Sequence, residues 1–139
     1  MKVTADFKMV IVLDESLPAG LQCNTSAVLS LTVGQKVEGL IDRDLVDGSG
    51  EVHVGITNQT MPILKTSQEN LRDIKEKAKQ YEHLFLVDFT DAAQTTRNYA
   101  DYEEKLKAKT KDELVLLGLA LVGTKENVTS LTGNLGLLK

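Results

Sequence analysis

The stretch FKMVIVL, residues 7–13, is short, apolar and rich in β-branched side chains, and Asp14 ends it. Such a run is typical of a strand that is buried on both faces. Two further runs have the same character, LFLVD at residues 84–88 and the apolar run at 114–122. A sheet that buries both faces needs a layer of helices on each side, so these runs indicate an α/β fold.

Helical patterns alternate with these strands. In residues 67–81, Ser67 is expected to cap the helix, and Leu71, Ile74 and Ala78 have the spacing of one buried stripe. We also predict helices over 21–33 (with Gly34 as its C-terminal cap) and 99–109, a fourth strand over 61–65, a short helix after residue 124, and a hairpin of strands 39–41 and 51–54 around the turn DGSG. The sequence therefore predicts one domain over residues 1–139, a three-layer α/β/α sandwich with a mostly parallel, mixed sheet of four or five strands.

Composition limits the cellular setting and the partners. Cys23 is the only cysteine, so an intramolecular disulfide is excluded, and we expect its side chain to be a small buried hydrophobe. No secretory signal is recognised, and no apolar run approaches the roughly 20 residues of a spanning helix. We therefore expect a cytoplasmic protein with no membrane partner. The formal charge of −4 disfavours tRNA as a partner.

Several familiar kinds of site are disfavoured by spacing. Asp42, Asp44 and Asp47 crowd one loop, but Asp42 lacks the glutamate eleven residues on that a calcium loop requires. His53 and His83, the only histidines, have no second histidine or cysteine at metal-ligand spacing. Neither glycine-rich phosphate motif occurs. We expect no cofactor and no metal, and His53 is a weak acid–base candidate because nothing in sequence orients it.

The loop DFTDAAQTTR, residues 88–97, concentrates polar chemistry after a buried strand. Ligands in open α/β folds favour the crevice beyond the carboxyl ends of the strands, where loops 14–24 and 88–98 are expected to meet. In one interpretation, Asp91 orients or activates a water or hydroxyl there. In the other, the loop's carboxylates and hydroxyls cap the next helix. The residues alone leave both open.

Four separated segments carry a family resemblance: LPAGL at 17–21, VHVGIT at 52–57, MPILK at 61–65 and LTG at 131–133. In this order they resemble an uncharacterised microbial family, the domain of unknown function numbered two thousand, over nearly the whole chain. That family has no established activity. Its fold resembles that of peptidyl-tRNA hydrolase II.

Further segments resemble that enzyme itself. FKMVIV at 7–12 resembles its first strand, and LTGNLGLL at 131–138 resembles its closing segment. The segment DAAQT at 91–95 resembles its Asp-Ala-Gly-Arg-Thr loop, and the resemblance implies that Asp91 and Thr95 belong to the site.

The chain departs from the enzyme at the first helix. The enzyme's Gly-Lys-Ile-Ala-Ala-Gln places Lys and Gln at the site, and these positions fall on Gly20 and Asn24 here. A cation there would stabilise the negative charge that develops in ester hydrolysis. Its loss implies that peptidyl-tRNA hydrolysis is abandoned or altered, unless Lys8, Lys65 or Arg97 replaces it.

Three hypotheses follow. The first is a pocket between the first helix and the Asp91 loop that binds a small polar ligand or hydrolyses an unidentified ester or amide. The second is peptidyl-tRNA hydrolysis with a substituted cation, and the third is a non-catalytic homodimeric interaction module. The expected catalytic residues are Asp91, Thr95 and Asn24, and the expected ligand-binding residues are Gly20, Gln94 and Thr96.

Overall fold

A computed structural model describes residues 1–139. It contains five helices and seven strands, which we number along the chain. The elements are β1 (Phe7–Asp14), α1 (Ala19–Lys36), β2 (Leu45–Val46), β3 (Val52–His53), β4 (Ile63–Thr66), α2 (Gln68–Ala78), β5 (Phe85–Thr90), α3 (Asp91–Gln94), α4 (Tyr99–Lys107), β6 (Leu116–Thr124), α5 (Lys125–Thr132) and β7 (Gly136–Leu137).

Five strands form one mixed sheet in the order β5-β6-β1-β4-β7. Only β1 and β4 pair in parallel, while the β1–β6, β5–β6 and β4–β7 pairs are antiparallel. The expected mixed sheet is present, but the expectation that it is mostly parallel is wrong. An apolar run buried on both faces has the same pattern in either direction, so the direction of β6 was not readable from its residues.

Successive side chains of β1 face opposite sides of the sheet, as the period of a strand requires. Ile11 and Leu13 pack with Leu29 and Val33 of α1 on one face. Val10 and Val12 pack on the other face with side chains of α2 and α5. The predicted α/β class is confirmed, with α1 on one face of the sheet and α2 and α5 on the other.

The helices follow the sequence patterns with two differences. Ser67 caps α2 as predicted, accepting a hydrogen bond from the amide of Asn70. Helix α1, however, continues through Gly34 to Lys36, because Val33 and Val37 still bury against the sheet beyond the predicted end. The predicted polar loop after β5 instead contains the short helix α3. None of the helices combines the length and apolar character that crossing a bilayer requires.

Residues 41–57 form a long ribbon that we call the arm. A bridge between Ile41 and Thr57 closes its base, and β2 pairs with β3 near its tip. The first predicted strand of this hairpin is displaced towards the turn, from 39–41 to 45–46. Every residue from 41 to 54 is exposed, so the arm projects from the rest of the fold.

Candidate functional site at the carboxyl edge of the sheet

The carboxyl ends of β1, β4 and β5 lie at one edge of the sheet, together with the start of β6. Asp14, the last residue of β1, is buried at this edge. The loop after β1 and the segment after β5 both leave from here, as the sequence predicted. This edge therefore gathers the polar residues that follow the buried strands.

Gln68 connects β1 to β6 at this edge. Its amide nitrogen donates to Oδ2 of Asp14 at 3.0 Å and to the carbonyl oxygen of Leu116, while its Oε1 accepts from the amide of Leu116 at 2.8 Å. The other oxygen of Asp14 accepts from the amide and hydroxyl of Ser16. Burial raises the pKa of Asp14, but the Ser16 and Gln68 hydrogen bonds outweigh it and hold the pKa below its usual value.

Asp91 begins α3 and is held from two sides. Its Oδ1 accepts from the amide of Val115 at 3.0 Å, and its Oδ2 accepts from the ammonium of Lys109 at 3.1 Å. Burial raises the pKa of Asp91, but the hydrogen bonds from the Val115 amide and Lys109 outweigh this effect. The pKa of Asp91 therefore lies below the usual carboxyl value. Asp91 is therefore a fixed anion at neutral pH, better suited to orienting a partner than to taking up a proton.

Thr95 contacts a second lysine. Its hydroxyl donates to the carbonyl oxygen of Asp91 at 2.7 Å and accepts from Nζ of Lys105 at 2.8 Å. Thr96 donates instead to carbonyl oxygens of α3 at Ala92 and Ala93. The hydroxyls of Thr95 and Thr96 thus donate to carbonyl oxygens of α3 instead of accepting from free amides at a helix start, and Asn98 is the residue that caps α4. Thr95 also contacts a cation.

Lys105 and Lys109 were missed by the sequence analysis, which looked for a replacement cation at other positions. Of those, Lys8 donates to Thr129 in the middle of α5, and Lys65 is exposed on β4. Lys105 lies in the last turn of α4, and Lys109 follows it by four positions, two residues beyond the end of the helix. Lys105 follows Thr95 by ten residues and Lys109 follows Asp91 by eighteen. No local pattern predicts contacts at these separations, so the sequence alone did not identify the two lysines.

Gly20, Asn24 and Gln94 are exposed. The space where a Cβ of Gly20 would lie is open, since no other atom lies within 4 Å of it. None of the three makes a side-chain hydrogen bond to Asp91 or Thr95, whose partners are the main chain and the two lysines. The six expected site residues therefore form two groups, one on the first turns of α1 and one along α3.

A cavity of about 480 Å³ lies between α1 and the segment from β5 to α4. Of the expected site residues only Thr96 lines it. Its other lining residues are Val28, Leu29, Thr32, Val87, Asp88, Phe89, Ala93, Arg97, Asn98, Tyr99 and Tyr102. The two tyrosine rings meet edge to face with centroids 5.4 Å apart. The opening between the first helix and the Asp91 segment thus exists, one to two turns further along α1 than Asn24.

His53 has an orienting partner after all. Its Nε2 lies 2.8 Å from Oδ2 of Asp47, and Glu51 brings a third ligand-type atom within 4.8 Å of the other two. Asp47 also accepts from the amides of Ser49 and Glu51. The pKa of Asp47 is lowered first by His53 and then by these amides. The hydrogen bonds of this exposed cluster connect the two strands at the tip of the arm.

Cys23 is exposed, so the expectation of a buried thiol is wrong. The buried positions of α1 are Thr25, Leu29 and Val33, which follow the helical repeat. Cys23 is two residues from Thr25 and therefore turns away from the sheet.

Comparison with known proteins gives a family and a fold. The model of a family described as protein of unknown function, DUF2000, matches residues 7–139. A solved structure of the protein of unknown function Atu0240 from Agrobacterium tumefaciens strain C58 is similar, with a TM-score of 0.85 and 23% identity over 98% of this chain and 100% of that chain. At that identity the likeness concerns the fold alone. No curated protein matches.

Proposed function

The chain belongs to the DUF2000 family of proteins of unknown function, and from this premise we propose that it binds a small ligand with an apolar body and an anionic group. The binding site is the cavity between α1 and the β5–α4 segment. The supporting fold is a peptidyl-tRNA hydrolase II-like three-layer sandwich. The observation that carries the proposal is the composition of the cavity wall, which combines apolar and aromatic side chains with one free cation at the rim.

The apolar part of the wall comes from all three elements around the cavity. Val28 belongs to α1, Val87 and Phe89 to β5, and Tyr102 to α4. A cavity of about 480 Å³ lies within the range of small-molecule sites. It favours a ligand whose body is one ring or a short branched chain.

The polar part of the wall favours a ligand with a negative charge. Arg97 lines the cavity, is exposed and takes part in no ion pair, so its guanidinium can bind a carboxylate or phosphate in bidentate fashion. The hydroxyls of Thr32 and Thr96 also line the cavity and, although each donates to a main-chain carbonyl oxygen, can still accept a hydrogen bond. By contrast, Asp88 is already neutralised by Lys75 at 2.8 Å. The unpaired charge at this rim is therefore positive.

The experiment is a titration of the ¹⁵N-labelled protein with benzoate, isovalerate and phenyl phosphate, followed by amide chemical shifts. We expect shifts at residues 28–32 and 87–102 for at least one anion and none for benzyl alcohol, which lacks the charge. Arg97→Gln should weaken binding by about tenfold or more, whereas Arg43→Gln, a change at an arginine on the arm, should not. Shifts confined to other residues would remove the cavity from consideration.

A second function, hydrolysis of a peptidyl ester, is favoured by one specific observation. Lys109 and Lys105 lie beside Asp91 and Thr95, the two residues that the resemblance places in the site of peptidyl-tRNA hydrolase II. A cation at this place can stabilise the developing oxyanion, which is the role that the resemblance implies for the enzyme's lysine. Asp91 would orient the lysine, and no proton needs to be taken up by its carboxylate.

The purified protein is therefore assayed for peptidyl-tRNA cleavage beside Asp91→Ala and Lys109→Gln. Hydrolysis that falls at least about 100-fold in both variants supports this second function. Lys107→Gln is the control, because Lys107 lies between the two lysines and pairs with Glu103 instead. An inactive wild-type protein would rule this function out and leave ligand binding in the cavity unaffected.

A further inference from the structure

The arm carries more exposed apolar surface than any other part of the chain. Its exposed residues are Ile41, Leu45, Val46, Val52, Val54 and Ile56, each with 57–79% of its surface accessible. Four of them, Leu45, Val52, Val54 and Ile56, line one concave surface of about 750 Å³. Elsewhere the large exposed side chains, such as Leu31 and Tyr99, lie on separate elements.

An uncovered two-stranded ribbon is at best marginally stable in water. Strands β2 and β3 are two residues long each and pair only with each other, and the main sheet does not extend into the arm. No helix packs on the arm, since all residues from 41 to 54 are exposed. The physical expectation is that another surface covers its apolar side chains.

The three aspartates of the arm are already used within it. Asp42 binds the amide of Arg43 and the side chain of Asn58, and Asp44 accepts from the amide of Gly55. Asp47 is held by two turn amides and His53. These three carboxylates bind groups within the ribbon, so the six exposed apolar side chains, together with Arg43 and Glu51, are what remains for recognition.

We propose that the arm is the dimerisation surface of this protein and that a second copy of the chain, bringing its own arm, covers it. The six apolar residues expose on the order of 700 Å², close to the ~800 Å² that each partner buries in a standard-size interface. A two-fold axis lets one apolar patch cover its equivalent, because the same residues then meet from both sides. The paired arms bury each other's apolar side chains and leave the α1–β5 cavity open.

The test is the mass of the full chain by sedimentation equilibrium between about 5 and 500 µM, a range in which dimers of weak to moderate affinity form. We expect the wild type to approach twice the 15.2 kDa of one chain. The double variant Val54→Asp/Ile56→Asp should raise the dissociation constant at least about tenfold, because it places four carboxylates in the buried apolar patch of the dimer.

The matched control is Leu31→Asp, since Leu31 is as exposed as Val54 but lies on α1. It should leave the dimer intact, and circular dichroism should show the same fold for all three proteins. A wild type that stays monomeric up to about 500 µM overturns the proposal, because a specific dimer would have assembled at that concentration. A dimer that survives in the arm variant, or one lost equally in Leu31→Asp, overturns it as well.

Discussion

Nζ of Lys109 lies 3.1 Å from Oδ2 of Asp91, while the amide of Val115 donates to the other oxygen of the same carboxylate. The next amide along β6, that of Leu116, donates to Gln68, which in turn holds Asp14. Two consecutive amides, that of Val115 just before β6 and that of Leu116 at its start, thereby connect Asp14 at the end of β1 with Asp91 after β5. The loops of the candidate site are coupled through the backbone of β6.

Removing the charge of Lys109 should change the titration of Asp91. Lys109→Gln removes a cause that lowers the pKa of Asp91, so that pKa should rise towards the usual carboxyl value while burial continues to raise it. The measurement is a ¹³C titration of the Asp91 carboxyl carbon by nuclear magnetic resonance. Lys107→Gln is the control, and an equal rise in that variant would show that the effect is not local to the ion pair.

The hydrogen bonds of Asp91 should also appear in the pH dependence of stability. Because the folded-state pKa of Asp91 lies below the ordinary aspartate value of 3.8, the carboxylate stabilises the fold above that pH, and the contribution is lost as pH falls through the lowered pKa. Asp91→Asn should therefore be less stable than wild type at pH 7, and the two free energies of unfolding should converge as pH falls below the lowered pKa of Asp91.

Urea unfolding measured from pH 7 down to about pH 2.5 tests this dependence. Asp112→Asn, at an exposed position, controls for the loss of one surface charge. A difference between Asp91→Asn and wild type that stays constant with pH would assign the effect to packing rather than to ionisation.

The side chain of Gln68 should contribute to the free energy of unfolding. Gln68→Ala leaves the buried Oδ2 of Asp14 and the amide of Leu116 without their partner, and an unpaired buried polar group costs about 1–3 kcal/mol. Thermal or urea unfolding measures the change. Gln80→Ala, at an exposed glutamine just beyond α2, should stay within ~0.5 kcal/mol of wild type. Equal effects at the two positions would contradict this role.

Gly118 permits the close approach of α1 to the sheet. A Cβ on Gly118 would lie 2.8 Å from Cδ2 of Leu13 and 2.9 Å from Cγ2 of Thr25, so Gly118→Ala must displace the helix or the strand. Such overpacking costs about 1–3 kcal/mol. Gly34→Ala on α1 is the opposite case, because a Cβ there meets nothing within 4 Å and should stabilise the helix by about 0.4–1 kcal/mol. Changes in the free energy of unfolding, relative to wild type, that have the same sign in the two variants would refute this account.

The base of the arm should be similarly sensitive. A Cβ on Gly55 would overlap the carbonyl oxygen of Asp42, so Gly55→Ala cannot keep the two backbone segments of the arm as close as they are. We expect altered amide shifts across residues 41–57 and unchanged shifts in the main sheet. Gly48→Ala, at the open tip of the arm, is the comparison variant. Changes spread through β1 and β6 would mean that the arm does not fold separately from the sheet.

The sequence predicted the parts of the fold that local patterns encode. The strands β1, β5 and β6 are continuous apolar runs, and α2 has both its Ser67 cap and its Leu71–Ile74–Ala78 stripe. The candidate edge was also predictable, because polar residues follow β1 and β5 directly. The direction of β6 and the length of α1 were not, since apolar content carries no direction and Gly34 costs only about 1 kcal/mol within a helix whose next turn is buried.

By itself the sequence determined an α/β fold and the polar edge after its strands, because burial imposes a periodicity that residues a few positions apart reveal. Only the tertiary structure decided that Lys105 and Lys109 contact Thr95 and Asp91, and that Gln68 links Asp14 to Leu116. It also decided that the apolar residues of the arm remain exposed. The side-chain contacts join residues 10 to 54 positions apart, and the exposure of the arm follows from the absence of any element packed on it. The periodicity of residues a few positions apart predicts neither.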